Sequence, residues 1–209
     1  MSAYRFHGRE RTTAELDGWF EPQQLRVPHQ VVLDRDEAGR GRVQLFCFAV
    51  EDLRMTGVPL VRASYAEILW RIAVRAGGEP AWWVIACDLE ALGPRLLASR
   101  YVRYPVRRSR VAVTAEEVRA ATGDGELAIT LGDPSGEERD AEQRILLVGD
   151  DAGWSVPWGD AERSGRAVRV TVTADSLARA TLGSPVTWAQ TALVRSGREH
   201  RCGIAQRRG

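Results

Sequence analysis

The stretch Arg100-Tyr101-Val102-Arg103-Tyr104-Pro105-Val106-Arg107-Arg108-Ser109-Arg110 concentrates cations, two phenols and one proline. Arginines in such a run can clamp a carboxylate or oxyanion, or stay in solvent as a charged cluster. Interleaved with tyrosines they can also hold a single-stranded nucleic acid. A net charge of +1 and the lack of another basic cluster disfavour that last reading. The carboxylate of most interest is Glu67. It lies in an alternating stretch, residues 64–76, where Ile68, Trp70, Ile72 and Val74 share one face and Tyr65, Glu67, Leu69 and Arg71 the other. That mixed second face suits a pocket wall as well as a solvent face, and a carboxyl on a pocket wall can act as general acid or base. Arg9 stands in a polar N-terminal stretch, where exposure is the default.

Other chemistries are excluded by residue type. All 29 basic residues are arginine, so there is no lysine Schiff base, P-loop lysine or Ser-x-x-Lys nucleophile. The absence of lysine and asparagine reads as the mark of a GC-rich genome. His7 and His29 are lone histidines, and no His/Cys/carboxylate cluster has metal-ligand spacing. Neither Gly-x-Ser-x-Gly, His-Glu-x-x-His nor a phosphate-binding glycine loop occurs, so no metal and no cofactor is expected. Cys47, Cys87 and Cys202 are odd in number with no Cys-x-x-Cys spacing, and read as buried thiols in a reducing cytoplasm. The Arg-rich N-terminus is not a signal peptide. Apolar runs of about eight residues fall well short of the ~20 that span a bilayer. A cytoplasmic protein without membrane contact is expected.

The elements that must position these residues are mostly strands. Residues 1–11 read as a polar lead-in. Thr12-Thr13-Ala14-Glu15 resembles a capping box that opens a helix to about Phe20. Strands are expected near 31–33, 42–50, 64–76, 81–88, 111–113, 126–131, 144–148, 167–173 and 186–194. Gly77-Gly78-Glu79-Pro80 predicts a hairpin link. Leu89, Leu92, Leu96 and Leu97 predict a helix over 89–100, with Pro94 in its first turn. Residues 115–121 read as a helical turn, 133–142 as an acidic loop and 196–209 as a frayed tail. Trp154 and Trp158, flanking Pro157, read as core caps or the rim of a pocket. Several strands are apolar on both faces, which fits a sheet curled around a core with helices outside.

Taken in order, Tyr4-Arg5-Phe6-His7-Gly8-Arg9-Glu10, Tyr65-Ala66-Glu67, the strand ending in Asp88, the helix after it and Tyr104-Pro105-Val106-Arg107 resemble the acetoacetate decarboxylase-like superfamily. The likeness covers residues 4–113 and is closest to the lysine-less, uncharacterised bacterial members. It implies an α+β, mainly β fold: a curved cone-like β-barrel with a few short peripheral helices, one domain over residues 1–209. It also implies roles. The family's pocket arginine falls on Arg9, its substrate-reaching glutamate on Glu67, its nucleophilic lysine on Val106 and the neighbouring lysine on Arg107. Catalytic work would fall to Glu67 and Arg107, with Arg9, Tyr65, Tyr104 and Val106 against the substrate. A Glu67–Arg107 pair is expected in the ligand-free protein. Valine cannot form an imine and arginine is too basic to do so, so this is not a Schiff-base decarboxylase. The implied function is a pocket for a small-molecule ligand, an organic acid or oxo compound. Any chemistry would be that of a Schiff-base-independent lyase, dehydratase or cyclase. The alternative is a catalytically silent ligand- or partner-binding module, and homo-oligomerisation is left open.

Overall fold

The computed structural model describes residues 5–23, 25–56, 58–99, 103–142, 144–150, 153–159, 164–197 and 199–208. In chain order these form β1 (Arg5–Phe20), β2 (Val31–Leu33), β3 (Gly41–Met55), β4 (Val58–Ala76), β5 (Glu79–Leu89), α1 (Leu92–Leu97), β6 (Val106–Arg108), β7 (Arg110–Val113), β8 (Glu117–Thr122), β9 (Gly125–Asp140), β10 (Ile145–Asp150), β11 (Gly153–Gly159), β12 (Ser164–Ala174), α2 (Ser176–Leu182), β13 (Val186–Trp188), β14 (Thr191–Arg195) and β15 (Glu199–Arg208). All the strands belong to one 15-stranded sheet.

Seven of those strands close on themselves. The order β15-β11-β10-β5-β4-β3-β1 is completed by a β15–β1 pairing, from Arg5 opposite Gly203 to Arg9 opposite Glu199. Closure removes the exposed edges that an open sheet must protect. From β1 the sheet continues through β14, β12, β9, β8 and β7 as an outer layer. Between layer and ring lies the main core. There Ile68, Trp70, Ile72 and Val74, each 0% exposed, pack with Val118, Leu127, Ile129 and Val168 of the layer and with Leu177 and Leu182 of α2. The opposite face of β4 looks into the ring. The β4–β5 hairpin is tight because Gly77 and Gly78 both take positive φ, 59° and 90°, the two-residue turn that matches strand twist.

Several expectations from sequence give way. The capping-box reading of residues 12–20 fails: these residues lie in β1, paired antiparallel with β3 from Phe20–Gly41 back to Phe6–Met55. Ala14, Leu16 and Phe20 point to the core at every second position, a period of two that a helix cannot use. The supposed lead-in belongs to the same strand from Arg5 onward, while Tyr4 lies outside the described residues. Residues 117–122 are strand rather than helical turn, and β9 runs through the acidic stretch to Asp140 as the partner of β12. Leu89 ends β5, which leaves α1 only Leu92–Leu97. Residues 199–208, expected to fray, form the ring-closing β15. The side chains of Trp154 and Trp158 lie outside what is described.

Deleting residues 199–208 exposes the edge of β1 at Arg5–Arg9 and that of β11 together. We expect the thermal midpoint to fall by at least about 10 °C, read by circular dichroism. An unchanged midpoint would show that the ring does not depend on β15.

Candidate functional site

Residue placement here follows from register. On the β4–β5 ladder Glu67 lies opposite Leu89, Ile68 opposite Asp88 and Leu69 opposite Cys87. On the parallel β5–β6 ladder Cys87 lies beside Val106 and Asp88 beside Arg107. Laterally paired residues share a face and successive residues alternate. Glu67, Leu69, Cys87, Leu89 and Val106 therefore look into the ring, and Ile68, Trp70, Asp88 and Arg107 look into the outer core.

The inner face is apolar and aromatic around one carboxyl. Phe48 of β3 lies opposite Glu67, and Phe46 opposite Leu69. Leu69, Cys87, Leu89 and Ala98 form a buried cluster against which Phe46, Tyr65, Tyr104 and Val106 pack. Tyr65 also touches Phe48 edge-on, with ring centroids 6.0 Å apart. Glu67 is 5% exposed, and among the described residues no hydrogen bond or ion pair reaches its carboxyl. Burial alone pushes its pKa from near 4.5 up to about 8. At neutral pH its proton is largely retained, and it serves as a proton donor rather than an anion. Cys87 beside it is pushed well above the usual thiol range, first by burial and then by the charge of Glu67.

Tyr104 and Val106 are delivered to this face by a built turn. Arg103 takes a φ of 61°, a left-handed conformation uncommon for a side-chain-bearing residue. The Tyr104 amide donates to the Ala98 carbonyl (3.2 Å), the Val106 amide to the Tyr104 carbonyl across Pro105 (2.8 Å), and the Cys87 amide to the Pro105 carbonyl (3.0 Å).

Further along the same face runs an ion-pair chain centred on Arg71. Its Nε donates to Gln44 Oε1 (2.8 Å) and its Nη2 to Glu15 Oε2 (3.1 Å). Arg195 Nη1 donates to the other oxygen of Glu15 (2.8 Å), and Gln44 Nε2 donates to Asp17 (2.9 Å). The Arg71 guanidinium lies 4.8 Å from the Phe46 ring centroid and 5.2 Å from that of Trp82. Arg42 and Arg144 also approach Trp82, at 5.2 and 5.1 Å. Burial lowers the pKa of Arg71, opposed by Glu15 and Asp17.

Arg107 does not join Glu67. The expected pair is replaced by a bidentate one with Asp88, Nε to Oδ1 at 3.0 Å and Nη2 to Oδ2 at 2.7 Å, on the opposite face of the sheet. Asp88, 0% exposed, also accepts from Trp70 Nε1 (2.6 Å) and from the Ser109 hydroxyl. Arg107 Nη1 donates to Thr181 Oγ1 (2.8 Å), which fastens α2. The reason is the pleat: Val106 shares the face of Glu67, so its neighbour cannot. Arg9 is exposed, opposite Glu51, whereas the adjacent Glu10 is buried within 3.4 Å of Arg195. Thus Glu67, Tyr65, Tyr104 and Val106 come together, and Arg9 and Arg107 stand apart from them. Sequence reasoning missed Glu15, Gln44 and Arg195. Glu15 was hidden by the capping-box reading, and Arg71 was seen on the face of Glu67 without a partner. Among the described residues no group of His, Cys, Asp and Glu is placed to hold a metal, and no helix is long and apolar enough to cross a membrane.

No protein-family model and no curated protein matches the sequence. Solved structures do match. The enduracididine biosynthesis enzyme MppR, complexed with the condensation product of pyruvate and imidazole 4-carboxaldehyde, superposes with a TM-score of 0.66 at 10% identity, over 99% of this chain and 88% of that one. An acetoacetate decarboxylase from Legionella pneumophila gives 0.65 at 12% identity over 100% and 88% of the two chains. An acetoacetate decarboxylase-like enzyme from Sphingomonas wittichii RW1 gives 0.61 at 12% over 100% and 93%. The chain has the acetoacetate decarboxylase-like fold, mainly β, with a barrel-shaped sheet and, among the described residues, two short helices.

Two substitutions test this geometry. Asp88→Asn leaves Arg107 without its counter-charge. We expect a loss of about 3 kcal/mol in urea unfolding, at the low end for a broken buried pair because Arg107 is 25% exposed. A loss below about 1 kcal/mol would show that the Asp88–Arg107 pair does not hold the fold together. The other test is Glu67→Gln. The folded chain keeps a proton that the unfolded chain releases, so wild-type stability falls as pH rises from 4.5 to 8 and then levels off. Glutamine removes that slope. The variant should match wild type near pH 4.5 and exceed it by on the order of 4 kcal/mol above pH 8. Parallel stability curves for the two proteins would show Glu67 to be ordinary.

Proposed function

We propose that the protein binds a small organic carbonyl compound on the inner face of the ring and uses Glu67 as the acid–base group, without an imine. The observation that carries this reading is a buried carboxyl, protonated at neutral pH and lacking a partner among the described residues, on a face shared with Tyr65, Tyr104 and Val106. A neutral carboxylic acid can donate to a carbonyl oxygen and polarise it, and the carboxylate left behind can take a proton from the adjacent carbon. Enolisation, dehydration and cyclisation all need those two transfers. Lysine is absent, so the covalent route is closed. MppR, a protein of this fold, is solved with a pyruvate-derived condensation product bound, which supports a carbonyl ligand. The oxyanion clamp first expected of Arg107 is not part of the proposal, because Asp88 already holds that guanidinium. The competing reading is a silent module, favoured by the close packing of Phe46 on Phe48, 5.7 Å between centroids, and of Phe48 on Tyr65.

Placing an amine on the inner face separates the two. Val106→Lys, incubated with acetone and borohydride, is expected to gain one reduced adduct by mass, its amine made nucleophilic at neutral pH by burial. The wild type, with its N-terminal amine blocked beforehand, should gain none. Should the buried lysine prevent folding, Val106→Cys with chloroacetone asks the same question. Alkylation beyond the wild-type level supports an accessible site. A folded variant that resists its reagent would leave the silent module standing.

A further inference from the structure

The buried cations around the ring are already matched from within the chain. Arg71 and Arg195, with side chains 12% and 3% exposed, share Glu15 at 3.1 and 2.8 Å, and Arg195 lies 3.4 Å from Glu10. Arg144, 11% exposed, is held by Asp34 and Glu142 at 3.0 and 2.6 Å. Arg107 is held by Asp88. The two rings nearest Arg71, Phe46 and Trp82, further fix its guanidinium. Glu67 stands outside this system, among Phe48, Leu69 and Leu89.

This pairing has a consequence for ligand charge. A carboxylate brought beside Glu67 would lose its hydration and find the buried cations already neutralised, while Arg108, on the same face beyond Leu89, is exposed to water that screens its charge. To recruit Arg71 it would have to displace Glu15, which is 7% exposed, and strand that carboxylate in turn. An uncharged carbonyl oxygen asks only for a donor. The carboxyl of Glu67 is such a donor, and a buried donor left without an acceptor is costly. The aromatic lining favours a flat apolar body. Resting on the reading above that the inner face binds a carbonyl compound, we infer that its ligand is an uncharged ketone or aldehyde with an apolar or aromatic body, and that the site discriminates against the corresponding oxo acid.

The test is a matched pair. Phenylacetone and phenylpyruvate share a benzyl ketone and differ in having a methyl or a carboxylate on the other side of the carbonyl. In calorimetric titration of the full chain at pH 6.5, phenylacetone is expected to bind at least about tenfold more tightly. Raising the pH to 9 should weaken its binding to wild type but not to Glu67→Gln, whose amide still donates. The other titratable or charged side chains on the face of Glu67 are Tyr65 on its own strand, Tyr104 before β6, Cys87 on β5 and the exposed Arg108 of β6, paired with Leu89, while Phe48 and Val50 of β3 add none. The Cys87 thiol is raised well above its ordinary value by burial and by Glu67. Equal or tighter binding of phenylpyruvate overturns the inference while the carbonyl-site reading survives. If neither compound binds, the inference falls. The broader reading then falls with it only when Val106→Lys also fails to trap acetone.

Discussion

A strand can offer one side of a sheet only every second residue, and a closed ring gives each side a separate fate. Inside this ring a side chain meets Glu67 and the aromatic lining; outside it meets the main core. The β4–β5–β6 ladders decide which, and they set Val106 beside Cys87 and Arg107 beside Asp88. Two residues adjacent in sequence thereby belong to different systems, one facing a lone carboxyl and the other a saturated one. Shifting β6 by one residue would exchange them, and would drive a guanidinium toward the lining while leaving Asp88 short of two donors.

The charged groups obey a second constraint. This chain has only arginine with which to place cations near its interior. A guanidinium is planar and weakly hydrated, so it can lie over an aromatic ring while its edge meets a carboxylate. Arg71 does both, between Phe46 and Trp82 and against Gln44 and Glu15. An ammonium in that position could satisfy the carboxylate but not the two rings. What composition alone attributes to codon usage is, at this position, also a fit of shape.

The sequence made the ring's wall readable and its seams obscure. Residues 64–76 and 81–88 alternate or run apolar in ways that a buried strand requires, so β4 and β5 were recognisable, as was the hairpin between them. The gathering of Glu67 with Tyr65, Tyr104 and Val106 followed from motif order. Arg107 was misplaced because motif order carries no facing, and a change of face costs one residue. β1 was misread because Thr12-Thr13-Ala14-Glu15 satisfies a capping pattern and an alternating one equally, and only its partner β3 resolves the two. β15 was missed for a related reason. Its polar residues show no local preference, and pairing with β1 and β11 supplies the order that composition withholds.

The closing seam has a kinetic side. Arg5 pairs with Gly203, so the ring is completed by residues far apart in sequence. Loop-closure entropy for so distant a contact is paid before the contact returns anything, and folds dominated by such pairings are slow. Until β15 docks, β1 between Arg5 and Arg9 and the free side of β11 are unpaired edges able to template another chain. During synthesis that interval lasts until β15 has emerged. The feature that leaves the finished ring without an edge thus makes its precursor the form most exposed to aggregation.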